Sequence, residues 1–401
     1  MSRNTEGIPF FRPSIGRGER KAADRVLKSG WLTTGPEALA FEKEFAGFLQ
    51  TGSEKDTGEI RTLSVNSATA GLHLALEAAG AGPGSLVALP SLTFTATAEI
   101  VRYLGADPLF IDSDPQTGNM DIRALKKACN RASDRGRNLK AVIPVHLAGH
   151  PCDMKGIRKA LGDSRAVIIE DAAHAFPSKT PEGMAGTLAD IGVFSFYATK
   201  TITTGEGGMV ACRNPEYEKR MRLMRLHGID REVWNRYAED SGSHSWEYDV
   251  TAPGFKYNMP DLAAAIGRVQ LKKAEKLLGM RRELAGRYSV LLSGIPGLEL
   301  PRDAPGHAWH LYIIHTRDTL QRNLLAEELE KNRIGSSVHF IPLHRMSYWK
   351  NTYGLNAGDF PVADNLYSRS LSLPLWPGLR RKDQDRISSV IRKFFRTQGK
   401  S

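Results

Sequence analysis

The sequence predicts an α/β fold in which helices flank a mostly parallel sheet, followed by a smaller α+β domain. From about residue 41 to residue 210, short apolar runs alternate with helical patterns, which is typical of strand–helix–strand units. These apolar runs are continuous rather than alternating, as strands buried on both faces of a parallel sheet require. Beyond Gly294 the regular alternation ends, and the pattern changes to separate strands and amphipathic helices.

The elements of the first part follow one another in order. A strand is predicted at residues 63–65 and a helix at residues 68–79, because Leu72 and Leu76 share one face and Gly80 ends the pattern. A further helix is predicted to end at Leu104. The other continuous apolar runs predict strands at residues 86–89, 109–111, 141–145 and 167–169.

The second part contains a long loop, linking helices and a small domain. Residues 231–251 are polar, rich in aromatics and weakly periodic, which favours a functional loop. Helical spacing then persists from Pro260 to about Leu292. Strands are predicted at residues 309–316 and 334–340, and helices at residues 319–331 and 382–395. We therefore predict a large domain over residues 1–255, linking helices over 256–293 and a small α+β domain over 294–401.

Composition excludes several classes of protein. The 401 residues are 41% hydrophobic and allow a large core, but no apolar run is long enough for a membrane span or a secretory leader. The three cysteines form no close pair, so neither a disulfide framework nor a metal site is expected. The net charge of +11 is spread out, without a nucleic-acid-binding motif. We expect a cytoplasmic protein with no nucleic-acid or membrane partner, whose charge suits solvated faces and a phosphorylated small molecule.

Lys200 is the strongest chemical signal in the chain. It follows an aromatic, apolar run that also contains Ser195, and a glycine-rich turn comes directly after it. A desolvated ammonium is costly, whereas an amine held as an imine is neutral. Schiff-base chemistry with a carbonyl cofactor is therefore one interpretation. A surface lysine in a loop after a buried strand is the other.

A carboxylate ends another predicted strand. Asp171 follows three apolar residues and precedes His174, so it should point into the crevice where open α/β sheets bind ligands. An aspartate there can pair with a pyridinium nitrogen and strengthen the ring as an electron sink. Asp171 could instead cap a helix, and His174 could be a hydrogen-bonded core histidine.

Two further sites fit the same ligand. Ala68 and Thr69 begin a predicted helix after a strand, where free N–H groups and the helix dipole favour a phosphate. A simple N-cap explains that junction equally well. Phe94 follows a strand end and could stack on a heteroaromatic ring, although most such aromatics are core residues. A phosphate cradle completed by Ser195, a stacking face, an acid and an imine-forming lysine together describe pyridoxal 5′-phosphate. A dinucleotide-binding glycine fingerprint is absent, which argues against a dehydrogenase.

With these motifs, the chain resembles the DegT-type nucleotide-sugar aminotransferases, which are fold-type-I pyridoxal-phosphate enzymes with a seven-stranded-type sheet. The similarity runs almost end to end, and its details are closest to the UDP-4-amino-4-deoxy-L-arabinose branch. The runs that carry it are Ser67-Ala68-Thr69-Ala70, Glu170-Asp171-Ala172-Ala173-His174, Phe194-Ser195-Phe196 with Lys200, Gly254-Phe255-Lys256-Tyr257-Asn258-Met259, His307-Ala308-Trp309-His310-Leu311 and Val338-His339-Phe340.

The resemblance implies a role for each cofactor residue. Lys200 would carry the cofactor covalently and act as the catalytic group, while Asp171 would hold the ring nitrogen. The remaining cofactor contacts would come from Ala68, Thr69, Phe94, His174 and Ser195. Asn258 or Lys256 would reach the phosphate in a neighbouring subunit, which implies a homodimer with shared sites.

The implied reaction is transamination of a nucleotide-linked keto sugar, at C4 in our interpretation, with L-glutamate as amino donor. The product would enter lipopolysaccharide, another surface polysaccharide or a related glycan. An aminocyclitol or secondary-metabolite sugar is the nearer alternative, and a non-catalytic regulator of this fold is the more distant one. The candidate substrate contacts are Trp31, Thr33, Thr34, Tyr197, Trp309, His310, His339 and His344.

Overall fold

A seven-stranded sheet with helices on both faces forms the larger part of the molecule. The computed structural model describes residues 6–51, 58–230 and 248–398. Most of the predicted loop at residues 231–251 therefore lies outside the described residues. In the described ranges, no helix has both the length and the apolar character that crossing a membrane requires.

The described helices and strands are numbered here in chain order. The helices are α1 (Arg17–Ser29), α2 (Pro36–Gln50), α3 (Ala68–Ala78), α4 (Ala96–Tyr103), α5 (Ile122–Asp134), α6 (Met154–Leu161), α7 (Pro215–Arg225), α8 (Asp261–Leu271), α9 (Ala274–Leu292), α10 (Thr319–Lys331), α11 (Ser347–Tyr353), α12 (Pro361–Arg369) and α13 (Arg381–Gln398). The strands are β1 (Arg61–Val65), β2 (Ser85–Pro90), β3 (Asp107–Ile111), β4 (Asn138–Val142), β5 (Val167–Asp171), β6 (Lys179–Thr180), β7 (Gly183–Met184), β8 (Ile191–Ser195), β9 (Gly208–Cys212), β10 (Tyr312–His315) and β11 (Ser370–Leu373).

The large sheet confirms the predicted α/β class. Its strand order is β1-β9-β8-β5-β4-β2-β3, and β9 alone runs against the others. Its central strands β2, β5, β8 and β9 are buried along their whole length, because helices cover both faces. The carboxyl ends of β1, β5 and β8 therefore meet at one edge of the sheet.

Local capping explains where several helices begin. The hydroxyl of Ser67 accepts a hydrogen bond from the Ala70 N–H at the start of α3, which satisfies one donor of the first turn. Asp121 and Asp153 cap α5 and α6 in the same way. At the other end of a helix, Gly30 follows α1 with φ 74°, a left-handed conformation that glycine adopts without strain.

Helix α9 joins two hydrophobic cores. Ala274 and Leu277 at its start pack with the large-sheet residues. Further along, Tyr288 and Leu292 pack in a second core with the antiparallel strands β10 and β11 and with α10 and α13. Residues 343–366, which follow β10 in the chain, pack on the large sheet again, in a further cluster that includes Trp349. The domain boundaries predicted above stay a prediction, because packing crosses between the two cores more than once.

One predicted strand is wrong. Residues 334–340 form only single bridges, from Ile334 to Ile8 and from Ser337 to Ser372. Glycine and two serines interrupt the apolar run, so the segment pairs with β11 only at Ser337 and forms no strand. Its path brings His339 to the edge of the large sheet, where a pocket opens.

Candidate active site

A pocket of about 470 Å³ opens where the carboxyl ends of β1, β5 and β8 meet. It brings together ten of the predicted site residues, which follow strands of the large sheet or lie on segments next to β10 and β11. These residues are Ala68, Thr69, Phe94, Asp171, His174, Ser195, Tyr197, Lys200, His310 and His339. Sequence reasoning placed each of them near a ligand, and the fold gathers them around a single space.

Lys200 lies on a turn after β8 and is half-buried in this pocket. Its backbone N–H donates to the Tyr197 carbonyl at 2.9 Å, which closes the turn. Burial lowers the pKa of the Lys200 amine to about 8, the Asp171 carboxylate opposes this shift, and the Arg281 guanidinium adds to it. A fraction of the amine is therefore neutral near physiological pH, as a nucleophile or proton carrier requires.

Asp171 ends β5 and is almost fully buried, at 5% exposure. One carboxylate oxygen accepts from the Ala173 N–H at 3.1 Å, and the other accepts from the Thr97 hydroxyl at 3.0 Å. Burial raises the pKa of this carboxyl, while the Ala173 N–H, the Thr97 hydroxyl and the Lys200 amine lower it. A buried carboxylate of this kind is suited to a cationic partner, such as a protonated ring nitrogen.

The residue before Asp171 is clamped from the opposite face of the sheet. Glu170 is fully buried and accepts from His146 Nε2 at 3.0 Å. His146 Nδ1 accepts from the Cys152 N–H at 3.0 Å, so the imidazole proton lies on Nε2 and points at Glu170. The same carboxylate also accepts hydrogen bonds from three backbone N–H groups, those of Gly186, Leu188 and Ala189. The end of β5, and with it Asp171, is thus fixed in position.

The start of α3 and the start of β9 form a narrow cradle. Ala68 and Thr69 occupy the first turn of α3, and both line the pocket. A Cβ added at Gly208 would lie 2.8 Å from the Ala68 nitrogen and 2.9 Å from the Phe194 carbonyl oxygen. Only glycine fits there without displacement of the backbone. The resulting close approach leaves α3's N-terminal dipole aimed into the pocket, which suits a phosphate.

Three histidines and a phenylalanine form the opposite wall. The His174 and His310 rings have centroids 4.3 Å apart, and His174 stacks on Phe340 at 5.7 Å. The Ser372 hydroxyl lies 2.9 Å from His339 Nδ1 and orients that ring. Burial holds the pKa of His174 and of His310 well below the usual value, and it lowers that of His339 to about 4. This wall is therefore neutral at physiological pH.

The residues that line this pocket fit pyridoxal phosphate. His174 Nδ1 is a buried nitrogen for which the described residues provide no hydrogen-bond partner. The α3 cradle suits a phosphate, the Asp171 carboxylate suits a ring nitrogen, and the Lys200 amine suits an aldehyde. Phe94 is 56% exposed at the pocket rim, with its ring 5.8 Å from that of Phe340. An exposed aromatic beside the pocket favours a stacking role over a core role.

Four predicted residues line a different pocket, of about 390 Å³. These are Thr33, Thr34, Lys256 and Asn258. Asn258 Nδ2 donates to the Thr34 hydroxyl at 2.6 Å, and the Lys256 carbonyl accepts from Asn66 Nδ2 at 3.3 Å. Within one chain, therefore, Lys256 and Asn258 do not line the pocket that contains Lys200. Trp31 lines neither pocket and donates from Nε1 to the Thr34 carbonyl at 3.2 Å.

Two predicted substrate contacts lie in the packed interior. Trp309 is 4% exposed and stacks on His307, with centroids 4.0 Å apart. His344 is 1% exposed, and its ring nitrogens lie near the Ser91 hydroxyl at 2.7 Å and Asp364 Oδ1 at 3.2 Å. Neither residue lines the Lys200 pocket. Trp309 directly precedes His310, which does line the pocket, and His344 follows the Val338-His339-Phe340 run by four residues.

Sequence reasoning missed other residues of the site. Thr97 orients Asp171, and Thr93 lies 3.0 Å from the Thr97 hydroxyl. Both residues lie just past the Pro90 end of β2, so the strand-end rule could have found them. Glu206 and Phe340 also line the pocket. Phe340 belongs to the Val338-His339-Phe340 run of the resemblance but was not named as a site residue, because its place depends on how the small domain packs.

Comparison with known proteins identifies what this chain is similar to. Residues 13–392 match the profile of the DegT/DnrJ/EryC1/StrS aminotransferase family. The spore coat polysaccharide biosynthesis protein SpsC of Bacillus subtilis is 40% identical over 391 residues, which cover 96% of each chain. The match therefore includes the sheet, the pocket and the small domain together.

Solved structures agree over nearly the whole chain. Spr1654 of Streptococcus pneumoniae, whose name assigns it to the sugar aminotransferases, has been solved in a PMP form and a PLP form. Its PMP form has a TM-score of 0.86 and 30% identity, over 97% of this chain and 99% of that one. Its PLP form gives 0.85 and 30%, over 98% and 99%. PseC of Helicobacter pylori, an aminotransferase involved in pseudoaminic acid biosynthesis, gives 0.86 and 27%, over 98% and 100%.

Proposed function

We propose that this chain, which belongs to the DegT/DnrJ/EryC1/StrS aminotransferase family, transfers the amino group of L-glutamate to the C4 ketone of a nucleotide-linked sugar. It is a pyridoxal-phosphate-dependent sugar aminotransferase, and its cofactor is pyridoxal 5′-phosphate. The observation that carries the proposal is the meeting of Lys200, Asp171 and the N-terminus of α3 in one pocket. The amino donor, the nucleotide and the ketone position are the proposed part.

The residues of the pocket would hold the cofactor at three points. The free N–H groups of Ala68 and Thr69, with the Ser195 hydroxyl, would bind the phosphate. Asp171 would pair as a carboxylate with the protonated ring nitrogen and accept its N–H hydrogen bond, and Lys200 would hold the cofactor covalently through Nζ. When bound, pyridoxal phosphate supplies an electron sink and a group that accepts and returns an amine.

Lys200 is the proposed proton carrier. Once released from the cofactor, the neutral Nζ takes a proton from the carbon that bears the donor nitrogen. In the half-reaction with the keto sugar, Nζ gives a proton to the sugar carbon that receives the nitrogen. The lowered pKa, about 8, keeps part of the amine in the proton-accepting form at neutral pH. Asp171 stays ionised beside a cationic ring nitrogen, because an opposite charge in a buried site favours the carboxylate.

The proposed substrate is an anionic keto sugar. The net charge of +11 favours the approach of a diphosphate. The neutral wall of His174, His310 and His339 supplies donors and acceptors that suit sugar hydroxyls rather than another charge. SpsC is named for spore coat polysaccharide and PseC for pseudoaminic acid, which supports a surface polysaccharide, lipopolysaccharide or related glycan as the destination. The UDP-4-amino-4-deoxy-L-arabinose branch stays a prediction.

A panel of keto substrates tests the proposal. The purified enzyme is supplied with L-glutamate and with 4-keto nucleotide sugars, 3-keto nucleotide sugars and a keto cyclitol. We expect 2-oxoglutarate and an amino sugar to form with a 4-keto nucleotide sugar, detected by mass spectrometry, and not with the Lys200→Ala variant. Turnover of the cyclitol alone would favour the aminocyclitol alternative. No turnover of any ketone by cofactor-loaded protein would favour a non-catalytic regulator.

Assembly as a homodimer is part of the proposal. Lys256 and Asn258 lie outside the Lys200 pocket of their own chain, and we propose that they reach the phosphate site of a second copy. Light scattering of the loaded enzyme should give twice the chain mass, and Lys256→Ala should weaken cofactor binding. A fully active monomer would exclude shared sites. The cytoplasmic location likewise stays a prediction.

A further inference from the structure

Within the part of the chain that the structure describes, Arg281 is a buried cation with no buried anion beside it. It lies in the middle of α9 at 3% exposure. Its Nη1 donates to three backbone carbonyls: those of Trp309 at 3.3 Å, His310 at 3.1 Å and Leu375 at 2.9 Å. Across the described ranges no carboxylate pairs with it, and its Nε is buried without a partner. Burial lowers the pKa of the guanidinium to about 10, so the charge persists at neutral pH.

An uncompensated buried charge is expensive. Charged groups in protein interiors are normally paired, because desolvation costs several kcal/mol per ion. Part of the explanation is structural, since Trp309 has a positive φ of 47° and the guanidinium holds the carbonyls of Trp309 and of the next residue, His310. Carbonyl hydrogen bonds alone, however, do not need a permanent positive charge, because neutral amide donors make the same bonds.

The charge lies directly behind the wall of the Lys200 pocket. Arg281 bonds to the His310 carbonyl, and the His310 ring lines the pocket together with Lys200. The other titratable groups that line this pocket are Asp171, His174, Tyr197, Glu206 and His339. The histidines among them are neutral at physiological pH. Asp171 favours the ammonium form of Lys200, and Arg281 opposes it.

We propose that Arg281 is a positioning residue for the reaction, which holds the His310 segment in the pocket wall and places a buried positive charge behind the Lys200 amine to offset the Asp171 carboxylate. The inference rests on the proposed function, because only a lysine that carries protons benefits from this effect. Without a nearby cation, the Asp171 carboxylate would hold the amine as an ammonium more strongly. Burial favours the neutral Lys200 amine most, and Arg281 and Asp171 then act on its charge in opposite directions.

The test separates charge from hydrogen bonding. Arg281→Gln keeps amide donors but removes the charge, whereas Arg281→Lys keeps the charge. Arg287→Gln is the matched control, since Arg287 lies on the same helix and pairs at the surface with Asp385. Each protein is loaded with pyridoxamine phosphate, which leaves the Lys200 amine free. The rate of Lys200 acetylation is then followed against pH by peptide mass spectrometry.

The account predicts a raised Lys200 pKa in Arg281→Gln alone. The expected rise is on the order of one pKa unit, which makes labelling near pH 7 about tenfold slower. Arg281→Lys and the control should keep the wild-type value. An unchanged Lys200 pKa in folded Arg281→Gln would overturn the proposal. If that variant does not fold, the wild type decides: a Lys200 pKa at its ordinary value near 10.4 would overturn it.

Turnover distinguishes this inference from the proposed function. If the wild type aminates a keto sugar but Arg281→Gln leaves the Lys200 pKa unchanged, the inference fails and the function stands. If the Lys200 pKa shifts as predicted but no keto sugar is aminated, the function fails.

Discussion

The two walls of the Lys200 pocket are built in different ways. The first wall consists of Asp171, Ser195 and Lys200, which lie at or just after the ends of parallel strands. The second wall consists of residues such as His310 and His339, which lie on segments without regular structure. The first wall carries charge and reactive groups, while the second is neutral and aromatic.

The difference between the two walls corresponds to a division between chemistry at the first wall and substrate selectivity at the second. Groups at strand ends are fixed by the hydrogen bonds of the sheet, as the clamp between His146 and Glu170 illustrates behind Asp171. A reacting centre needs this rigidity, because small displacements cost rate. The second wall depends on single contacts, such as the 2.9 Å approach of Ser372 to His339. Such a wall can vary among relatives without loss of the common chemistry.

Asp171→Asn should give the largest effect, and it tests the first wall. Removing one buried electrostatic partner costs on the order of 10²–10³-fold in kcat, and we expect that range with little change in KM for the sugar. The absorbance spectrum of the bound cofactor should also shift. Asp24→Asn is the control, because Asp24 is exposed on α1 and pairs with Lys28 at the surface. Wild-type kcat in Asp171→Asn would remove Asp171 from the chemistry.

Gly208→Ala should weaken the phosphate cradle. The new Cβ would stand 2.8 Å from the Ala68 nitrogen, and such overpacking costs about 1–3 kcal/mol. We expect cofactor affinity to fall by about 10- to 100-fold, measured by absorbance titration of the stripped protein. Gly82→Ala is the matched control, since nothing lies within 4 Å of its added Cβ. Equal affinities in the two variants would mean that α3 does not hold the phosphate.

The pH profile compares the two walls directly. The pyridoxamine-loaded enzyme is mixed with keto sugar, and the single-turnover rate is followed from pH 5 to 9. Because the lowered Lys200 pKa lies at about 8, the neutral amine is lost as pH falls through that value. The rate should therefore fall about tenfold per unit below it. The second wall predicts no step near pH 6.5, since burial keeps His174, His310 and His339 neutral. A single step there would assign the proton transfer to a histidine.

His339→Gln should give the smallest effect, and it tests the second wall. A lost hydrogen bond to an uncharged group costs about 0.5–1.5 kcal/mol, so the KM for the sugar should rise roughly 2- to 10-fold with kcat nearly unchanged. His315→Gln is the control, because His315 lies on β10 outside this pocket. A large loss of kcat in His339→Gln would mean that His339 takes part in the chemistry, as the residues of the first wall do.

Residues of both walls were named from the sequence, but only the position of the first wall followed from a general rule. Asp171, Ser195 and Lys200 follow buried strands, and parallel strands deliver their carboxyl ends to one edge. His339 was named, but the strand predicted at residues 334–340 was wrong. The position of His339 depends on tertiary packing, because it lies between the bridge from Ser337 to Ser372 and the pocket. Trp309 shows the same limit, because tertiary packing buries it and leaves its neighbour His310 in the pocket.

Buried electrostatics were also beyond the sequence. Arg281 stands in a cluster of basic residues that resembles a solvated helix face. Only the fold reveals that its guanidinium is buried against three carbonyls. A helical pattern identifies which residues share a face, but it does not identify which charge lacks a partner.

The most direct measurement is reductive trapping of the cofactor on the loaded enzyme. Borohydride treatment, proteolysis and peptide mass mapping locate the lysine that carries the pyridoxyl group. The account predicts a single labelled peptide, which contains Lys200, and loss of the label in Lys200→Ala. A label on another lysine, or no label on fully loaded wild-type protein, would contradict it.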